Sequence, residues 1–110
     1  MTTIKKDSGL VTVIVHLTTE PDKQQELIDT ILDGVDIMRK QPPPGFVSAH
    51  LHRSHDGTRV VNYAQWRSLQ DYKTFLTNPG PEERLRKILA LGTPDVHTYE
   101  VVFSVNAETH

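Results

Sequence analysis

Cysteine is absent from the 110-residue sequence. Disulfide bonds, thiolate metal ligands and a cysteine nucleophile are therefore excluded. A long apolar run is missing as well, because the first apolar stretch is interrupted by His16 and ends at Thr18 without a small-residue cleavage pattern. Such a stretch is a poor signal peptide and is far too short to cross a membrane. We expect a cytoplasmic protein with no membrane partner.

Neither sign of charge dominates the sequence. Lys and Arg together number 12, Asp and Glu number 14, and the formal net charge is -2. Without a basic cluster, this balance gives no electrostatic footprint for nucleic acid or for an anionic membrane surface. We therefore expect no nucleic-acid partner.

No Gly-x-Gly-x-x-Gly run occurs in the sequence, so the fingerprint of a loop that binds a flavin or nicotinamide dinucleotide is absent.

The first third of the chain reads as a strand followed by a helix. The segment from Leu10 to Thr19 is rich in β-branched residues and apolar on both faces, which predicts a central strand. Apolar residues at helical spacing follow from Leu27 to Met38, and this helix must end before the prolines at 42–44. Gly34 inside it costs about 1 kcal/mol relative to alanine, which indicates close packing or a local weakness.

The remaining segments complete a six-element pattern. Two extended segments flank His55-Asp56-Gly57, and we interpret them as one long hairpin with a two-residue Asp56-Gly57 turn. A helical pattern over residues 69–76 is broken by NPGP at 78–81 and resumes over 82–91. Residues 96–107 are again typical of a strand. The order strand, helix, strand, strand, helix, strand predicts the α+β ferredoxin-like fold, an antiparallel sheet with helices on one face.

We place this single domain at residues 9–106, with flexible ends at 1–8 and 107–110. A sheet with helices on one face leaves its second face uncovered. Alternation along the hairpin puts Val61 and Tyr63 on that second face. A symmetric pairing of two such sheets covers apolar residues of this kind, so we expect a homodimer.

Four residues fall where they can point into the gap between the sheet and the helices: Asn62, Trp66, Tyr72 and Arg86. Singly, each has an ordinary explanation, because a buried tryptophan or tyrosine usually belongs to the core and a helix arginine usually faces solvent. Asn62 is the least expected, since asparagine is depleted in strands and a buried amide costs free energy unless it is paired.

The stretch PGFVSAHLHRSHDGTRVVNYAQWRSLQDY, from Pro44 to Tyr72, resembles the antibiotic biosynthesis monooxygenase family of dimeric α/β-barrel proteins. The resemblance extends from Leu10 to about Val105. Within it, DGTRVVNYAQWRS identifies the fold family well and the reaction less well. The most similar members are cofactor-independent and oxidise a polycyclic phenol to a quinone. The resemblance therefore implies a dimeric α/β barrel that needs no cofactor and uses dioxygen on a small aromatic substrate, an electron-rich phenol or anthrone.

The resemblance also implies roles for individual residues. Asn62, Trp66, Tyr72 and Arg86 stand at positions of the family's pocket, and His52 matches a histidine there. We expect Arg86 to hold the anionic oxygen of the substrate, because a guanidinium stays charged. Asn62 and the Trp66 indole N–H would donate hydrogen bonds to a substrate carbonyl or to the bound oxygen species. Tyr72 would donate or relay a proton, since an ordinary phenol is protonated near pH 7.

Hairpin register bears on the two substrate-binding candidates, Leu51, which it adds, and His52, which the resemblance implies. A two-residue turn pairs Leu51 with Asn62, so Leu51 would line the pocket beside the amide without offering it a hydrogen bond. The same register turns His52 away from Asn62, and only a β-bulge would bring it round. His52 is therefore a candidate only if such a bulge exists.

Two other functions stay open. Haem-degrading relatives share the barrel but ligate iron through a histidine on the second helix, and no histidine occurs between Leu69 and Leu91. His50 and His52 lie on one side of a strand, yet no third metal ligand is evident, so we expect no metal site. A non-catalytic ligand-binding or stress-related dimer of the same fold is the second alternative, because a fold does not determine a function.

Overall fold

The computed structural model of the protein describes residues 9–78, 80 and 82–108. The elements in chain order are β1 (Val11–Thr18), α1 (Gln24–Leu32), α2 (Val35–Lys40), β2 (Phe46–Arg53), β3 (Arg59–Trp66), α3 (Leu69–Leu76), α4 (Glu82–Leu91) and β4 (Thr93–Glu100). Of the ends expected to be flexible, residues 1–8 and 109–110 lie outside the described residues. Within the described part of the chain, no helix combines the length and the apolar character that a membrane span requires.

The strands form one four-stranded sheet in the order β2-β3-β1-β4, and every pairing is antiparallel. The predicted central position of the first strand is confirmed, because β1 lies between β3 and β4. Helices α1 and α3 pack on β3, and α4 packs on α1 and β4. The predicted α+β ferredoxin-like fold is therefore confirmed.

The core lies between the sheet and the helices in two clusters. The cluster beneath α3 consists of Val13, Ala64, Trp66 and Tyr72. The cluster beneath α1 consists of Leu17, Leu27, Ile28 and Val60. Alternation along β3 puts Asn62 on the same face, between Val60 of one cluster and Ala64 of the other. The core is therefore interrupted by a polar side chain at the middle of β3.

The predicted first helix is divided into two. Helix α1 ends at Leu32 and α2 begins at Val35. The Gly34 N–H donates to the Ile31 carbonyl at 3.2 Å, a bond across three residues that tightens the chain at this point. Gly34 is buried. Gly34 marks both a local weakness, because the helix breaks here, and a close contact, because the Arg84 side chain packs on its backbone.

The turn between β2 and β3 is longer than the predicted two-residue turn. Residues 54–58 connect the strands, and the Asp56 carboxylate organises them. Its Oδ1 accepts hydrogen bonds from the Thr58 N–H at 3.0 Å, the Thr58 hydroxyl at 2.6 Å and the Ser54 hydroxyl at 2.8 Å. A short acidic side chain that bonds to nearby backbone and hydroxyl groups is a common way to stabilise a turn.

The last strand begins and ends earlier than predicted, at Thr93 and Glu100. Strand β4 starts at Thr93 and includes Pro94, which is tolerated because β4 is an edge strand of the sheet. It pairs with β1 of the same chain, so the sheet is completed within one chain. Residues 101–108 form no regular structure, and their large apolar side chains are exposed: Val102 by 67%, Phe103 by 73% and Val105 by 77%.

Candidate active site

A cavity of about 980 Å³ lies between the sheet and the helices. Strands β2 and β3 form its floor with Ala49, Leu51 and Asn62, and the α1–α2 junction, α3 and α4 supply the walls. Most of the lining is apolar and includes Ile31, Val35, Met38, Phe46, Phe75 and Leu85. A largely apolar cavity with a few polar groups is typical of a site for a small organic ligand.

Asn62 supplies the amide on the cavity floor. It is half-buried, and its side chain makes no hydrogen bond with another described residue. Leu51 lies opposite it in β2, as the predicted hairpin register requires, and Val15 lies opposite it in β1. Because neither neighbour has a polar side chain, the donor and the acceptor of the amide are both available to a ligand.

Trp66 and Tyr72 lie behind the cavity wall and do not line it. Trp66 is 2% exposed and Tyr72 9% exposed. The Trp66 ring centroid lies 5.6 Å from that of Tyr72, 5.4 Å from that of Phe46 and 5.1 Å from that of Phe75. Phe46 and Phe75 line the cavity. The aromatic residues therefore form two layers, with the phenylalanines facing the ligand space.

Burial raises the pKa of the Tyr72 phenol above its ordinary value of 10.0, because desolvation disfavours the phenolate. The group is therefore protonated at neutral pH and can donate a proton but not act as a ready base. Its position depends on the start of α3. There Ser68 caps the helix by accepting a hydrogen bond from the Asp71 N–H at 3.0 Å, a common role for serine at this position.

Arg86 does not line the cavity. Its side chain is 73% exposed, and its guanidinium lies 3.9 Å from the Glu82 carboxylate one turn earlier on α4. An exposed ion pair of this kind contributes little to stability. The arginine that lines the cavity from α4 is instead Arg84, which is half-buried.

His52 also lies away from the cavity. It is exposed and opposite Val61 in the β2–β3 register, on the helix-free face of the sheet. The register irregularity in β2 falls between Phe46 and Ser48, so it does not turn His52 towards Asn62. Of the six expected site residues, the structure brings Asn62 and Leu51 together in the cavity.

Arg84 and Asp71 are polar lining residues that the sequence interpretation missed. Arg84 precedes the apolar residue Ile88 by four positions, a spacing that puts both on one helix face. This spacing was the sequence feature that could have placed Arg84 on the inner face of the helix. Asp71 gave none, because it resembles any acidic residue in the first turn of a helix; its carboxylate lies against Gly45.

The described residues contain no group of three or more His, Asp or Glu side chains that could hold a metal ion. His50 and His52 are both exposed on the helix-free face of the sheet. The cavity lining contains no histidine among the residues that the structure describes, so it offers no imidazole ligand for haem iron.

The sequence and the fold match a known family of enzymes. The model of the antibiotic biosynthesis monooxygenase family matches residues 10–83. The chain belongs to this family.

Individual relatives agree with this assignment. Tetracenomycin-F1 monooxygenase of Streptomyces glaucescens is 36% identical over 108 residues, which cover 97% of this chain and 95% of the relative. The crystal structure of a monooxygenase from the gene ActVA-Orf6 of Streptomyces coelicolor, in complex with nanaomycin D, is 32% identical, with a TM-score of 0.74 over 92% of this chain and 94% of that one. Similarity to two monooxygenases over almost the whole length identifies this chain as a monooxygenase.

A third relative shares the fold at lower identity. A variant of SnoaB, a cofactor-independent oxygenase from Streptomyces nogalater, superposes with a TM-score of 0.74 over 90% of this chain and 99% of that chain. Its sequence is 21% identical to this one.

Proposed function

We propose that this chain is a cofactor-independent monooxygenase that uses dioxygen to oxidise an electron-rich polycyclic phenol or anthrone to a quinone. The observation that carries the proposal is the unpaired Asn62 amide on the floor of a largely apolar cavity of about 980 Å³. A planar ring system fills the apolar volume, and one of its oxygens satisfies the amide. The relative from S. coelicolor, whose structure contains nanaomycin D, supports a small ligand at this fold.

The proposed reaction balances with the substrate and dioxygen alone. The phenol or anthrone loses a proton to water, and its anion transfers one electron to dioxygen. The resulting substrate radical and superoxide combine, with uptake of a proton, to give a hydroperoxide with a new C–O bond. The O–O bond then breaks, a second C–H proton is lost, and water leaves as the C=O bond forms. One oxygen atom enters the quinone and the other becomes water.

The residues have distinct proposed roles. Asn62 donates a hydrogen bond to the oxygen that carries the developing charge, an interaction that strengthens as the charge grows. Phe46 and Phe75 hold the ring, and Trp66 supports them from behind. Tyr72, which burial keeps protonated, lies behind the two phenylalanines, so its proposed role is to relay a proton towards the leaving water without contacting the substrate. The resemblance implied that Arg86 binds the anionic oxygen of the substrate, but the exposure of that side chain does not support this role.

The proposed enzyme is a cytoplasmic homodimer joined through the helix-free face of the sheet. Tyr63 and Val61 lie on this face, and the segment after β4 exposes Val102, Phe103 and Val105. Exposed apolar groups of this number are usually covered by a partner. A second copy of the chain supplies an identical surface, so a two-fold pairing covers both.

Oxygen uptake with a panel of anthrones tests the function. We expect protein-dependent consumption of one dioxygen per quinone formed with 1,8-dihydroxyanthrone, and one labelled oxygen atom in the quinone from ¹⁸O₂. The uncatalysed oxidation in buffer is subtracted. Binding of the panel without any consumption of oxygen would contradict the proposal and favour the non-catalytic ligand-binding dimer. A Soret shift on titration with haemin would instead favour the haem-degrading alternative.

A further inference from the structure

Arg84 differs from the other arginines near the cavity by its burial. It is half-buried on the inner face of α4, together with Ile88, and both residues line the cavity. Arg86, two positions further along the helix, is 73% exposed. Because successive helix residues turn by about 100°, these two arginines point in nearly opposite directions.

The guanidinium of Arg84 rests on the backbone of two glycines. A Cβ added to Gly34 would lie 2.6 Å from Arg84 Cζ and 2.7 and 2.9 Å from its two terminal nitrogens. A Cβ added to Gly80 would lie 2.9 Å from one of the same nitrogens. Gly34 has φ -95° and ψ -4°, a conformation open to any residue. A side chain at position 34 would therefore displace the guanidinium, and the backbone conformation itself does not demand glycine.

Arg84 has no counterion within the part of the chain that the structure describes. Arg39 pairs with Asp36, and Arg86 pairs with Glu82, but no hydrogen bond or ion pair joins the Arg84 guanidinium to another described residue. Asp71 also lines the cavity and does not pair with it. A charged group that is partly removed from water without a partner is unfavourable, and a ligand anion offsets this cost.

We infer that Arg84, and not Arg86, holds an anionic oxygen of the substrate, so that the cavity selects polycyclic aromatics with an ionised oxygen substituent. The chemical identity of the ring system rests on the proposed function. Asn62 on the floor and Arg84 on the α4 wall are two polar points in an apolar cavity, and two such points fix the orientation of a planar molecule. A phenolate and a carboxylate both present the required oxygen.

Ligand binding by four variants tests this inference. Trp66 is the single tryptophan, and it packs on the cavity-lining rings, so its fluorescence reports binding without turnover. The probes are 4,5-dihydroxyanthraquinone-2-carboxylic acid and its 2-hydroxymethyl analogue, which keeps the phenols and lacks the carboxylate. Arg84→Gln should raise the Kd of the acid about tenfold or more, as loss of a charge-assisted hydrogen bond predicts. Arg84→Lys should restore part of this loss.

The pair of probes separates the two sources of the anion. A loss confined to the carboxylic acid assigns the carboxylate to Arg84, whereas an equal loss for both probes at a pH where the phenol is ionised assigns the phenolate. Lys87→Gln is the control for the loss of one positive charge on α4, because Lys87 is exposed and lies outside the cavity lining. Retained affinity for both probes in Arg84→Gln, with loss in Arg86→Gln, overturns the inference.

Gly34→Ala provides a test in which the helix is not weakened. Alanine favours the helical conformation at this position, and the added methyl group displaces only the flexible end of Arg84. We expect the variant to fold at least as well as the wild type and to bind the acid several-fold more weakly. Wild-type affinity for the acid in Gly34→Ala would contradict the proposal that the contact with Gly34 positions the Arg84 guanidinium for the ligand.

Oxygen uptake distinguishes failure of this inference from failure of the proposed function. Suppose that the wild-type protein consumes no oxygen but that Arg84→Gln weakens ligand binding. This result would support the inference and contradict the oxygenase reaction. Oxygen consumption that Arg84→Gln leaves unchanged, with either an acidic or a neutral anthrone, removes the inference and leaves the reaction in place.

Discussion

Leu51 and Asn62 face each other across the β2–β3 ladder. The cavity floor therefore places an amide beside a side chain that cannot hydrogen-bond to it. Val15 flanks Asn62 on the other side, in β1. The amide remains free because both cross-strand neighbours are apolar, and it is available to the polar edge of a ring system.

Replacement of Asn62 by leucine tests the role of this amide. The substitution keeps the branched shape of asparagine and removes the hydrogen bond to the substrate, so kcat/KM should fall about a hundredfold. Thermal unfolding should be little changed, because an unpaired polar group gives way to an apolar one. Asn106→Leu, in the segment after β4, is the control for loss of an amide elsewhere. Wild-type oxygen uptake by Asn62→Leu would contradict the assignment.

Tyr72 should make the stability of the protein depend on pH in the alkaline range. Its pKa is raised in the folded state, so its contribution is fully present below the ordinary value of 10.0 and is lost as the pH rises through the higher folded value. We expect the urea midpoint of the wild type to fall more steeply above about pH 10 than that of Tyr72→Phe. Tyr99→Phe, at an exposed position, is the control and should follow the wild type.

Asp56 should give a pH dependence at the acidic end. Hydrogen bonds from the Thr58 hydroxyl, the Thr58 N–H and the Ser54 hydroxyl lower the pKa of its carboxyl from 3.8 to about 2. A lowered pKa gives stability that is present above the ordinary value and is lost as the pH falls through the folded value. Asp56→Asn should therefore have a lower Tm than the wild type at pH 7, and the difference should shrink between pH 3.8 and about 2.

Asp33→Asn, at an exposed position outside this turn, is the control for the removal of one carboxylate. A constant difference for Asp56→Asn across the interval would show that the turn is not stabilised by the ionised carboxylate.

Val61 lies on the face of the sheet through which we propose that two chains associate. Val61→Glu would place a charge in that interface, so sedimentation should show a shift from dimer to monomer. Gln70→Glu, on the exposed side of α3, adds the same charge outside the interface and should remain dimeric. A wild-type chain that sediments as a monomer would contradict the proposed dimer directly.

The fold could be predicted from local patterns because each element carries its own signal. The run of β-branched residues in β1 and the helical spacing in α1 and α4 are properties of neighbouring residues. The division at Gly34 was indicated by the glycine, but its contact with Arg84, which is fifty positions away in the sequence, was not. The start of β4 at Thr93 was missed because proline is unfavourable in strands generally, and only the edge position of β4 permits it.

The site could be predicted only in part, for a similar reason. Register arithmetic gave the pairing of Leu51 with Asn62, which the longer turn preserves. The arrangement of Phe46 in front of Trp66 depends on the register shift in β2, which simple alternation does not contain. Whether Arg84 or Arg86 faces the cavity depends on the rotation of α4 about its axis, which packing on α1 determines.

Helix α2 has six residues and no buried side chain, yet it forms part of one cavity wall with Val35 and Met38. A helix of this length has little stability of its own. Its amide hydrogens should therefore exchange with solvent sooner than those of β1, in the centre of the sheet. Local unfolding of this turn and a half of helix would widen the cavity for a rigid planar molecule, while the sheet that carries Asn62 keeps its shape.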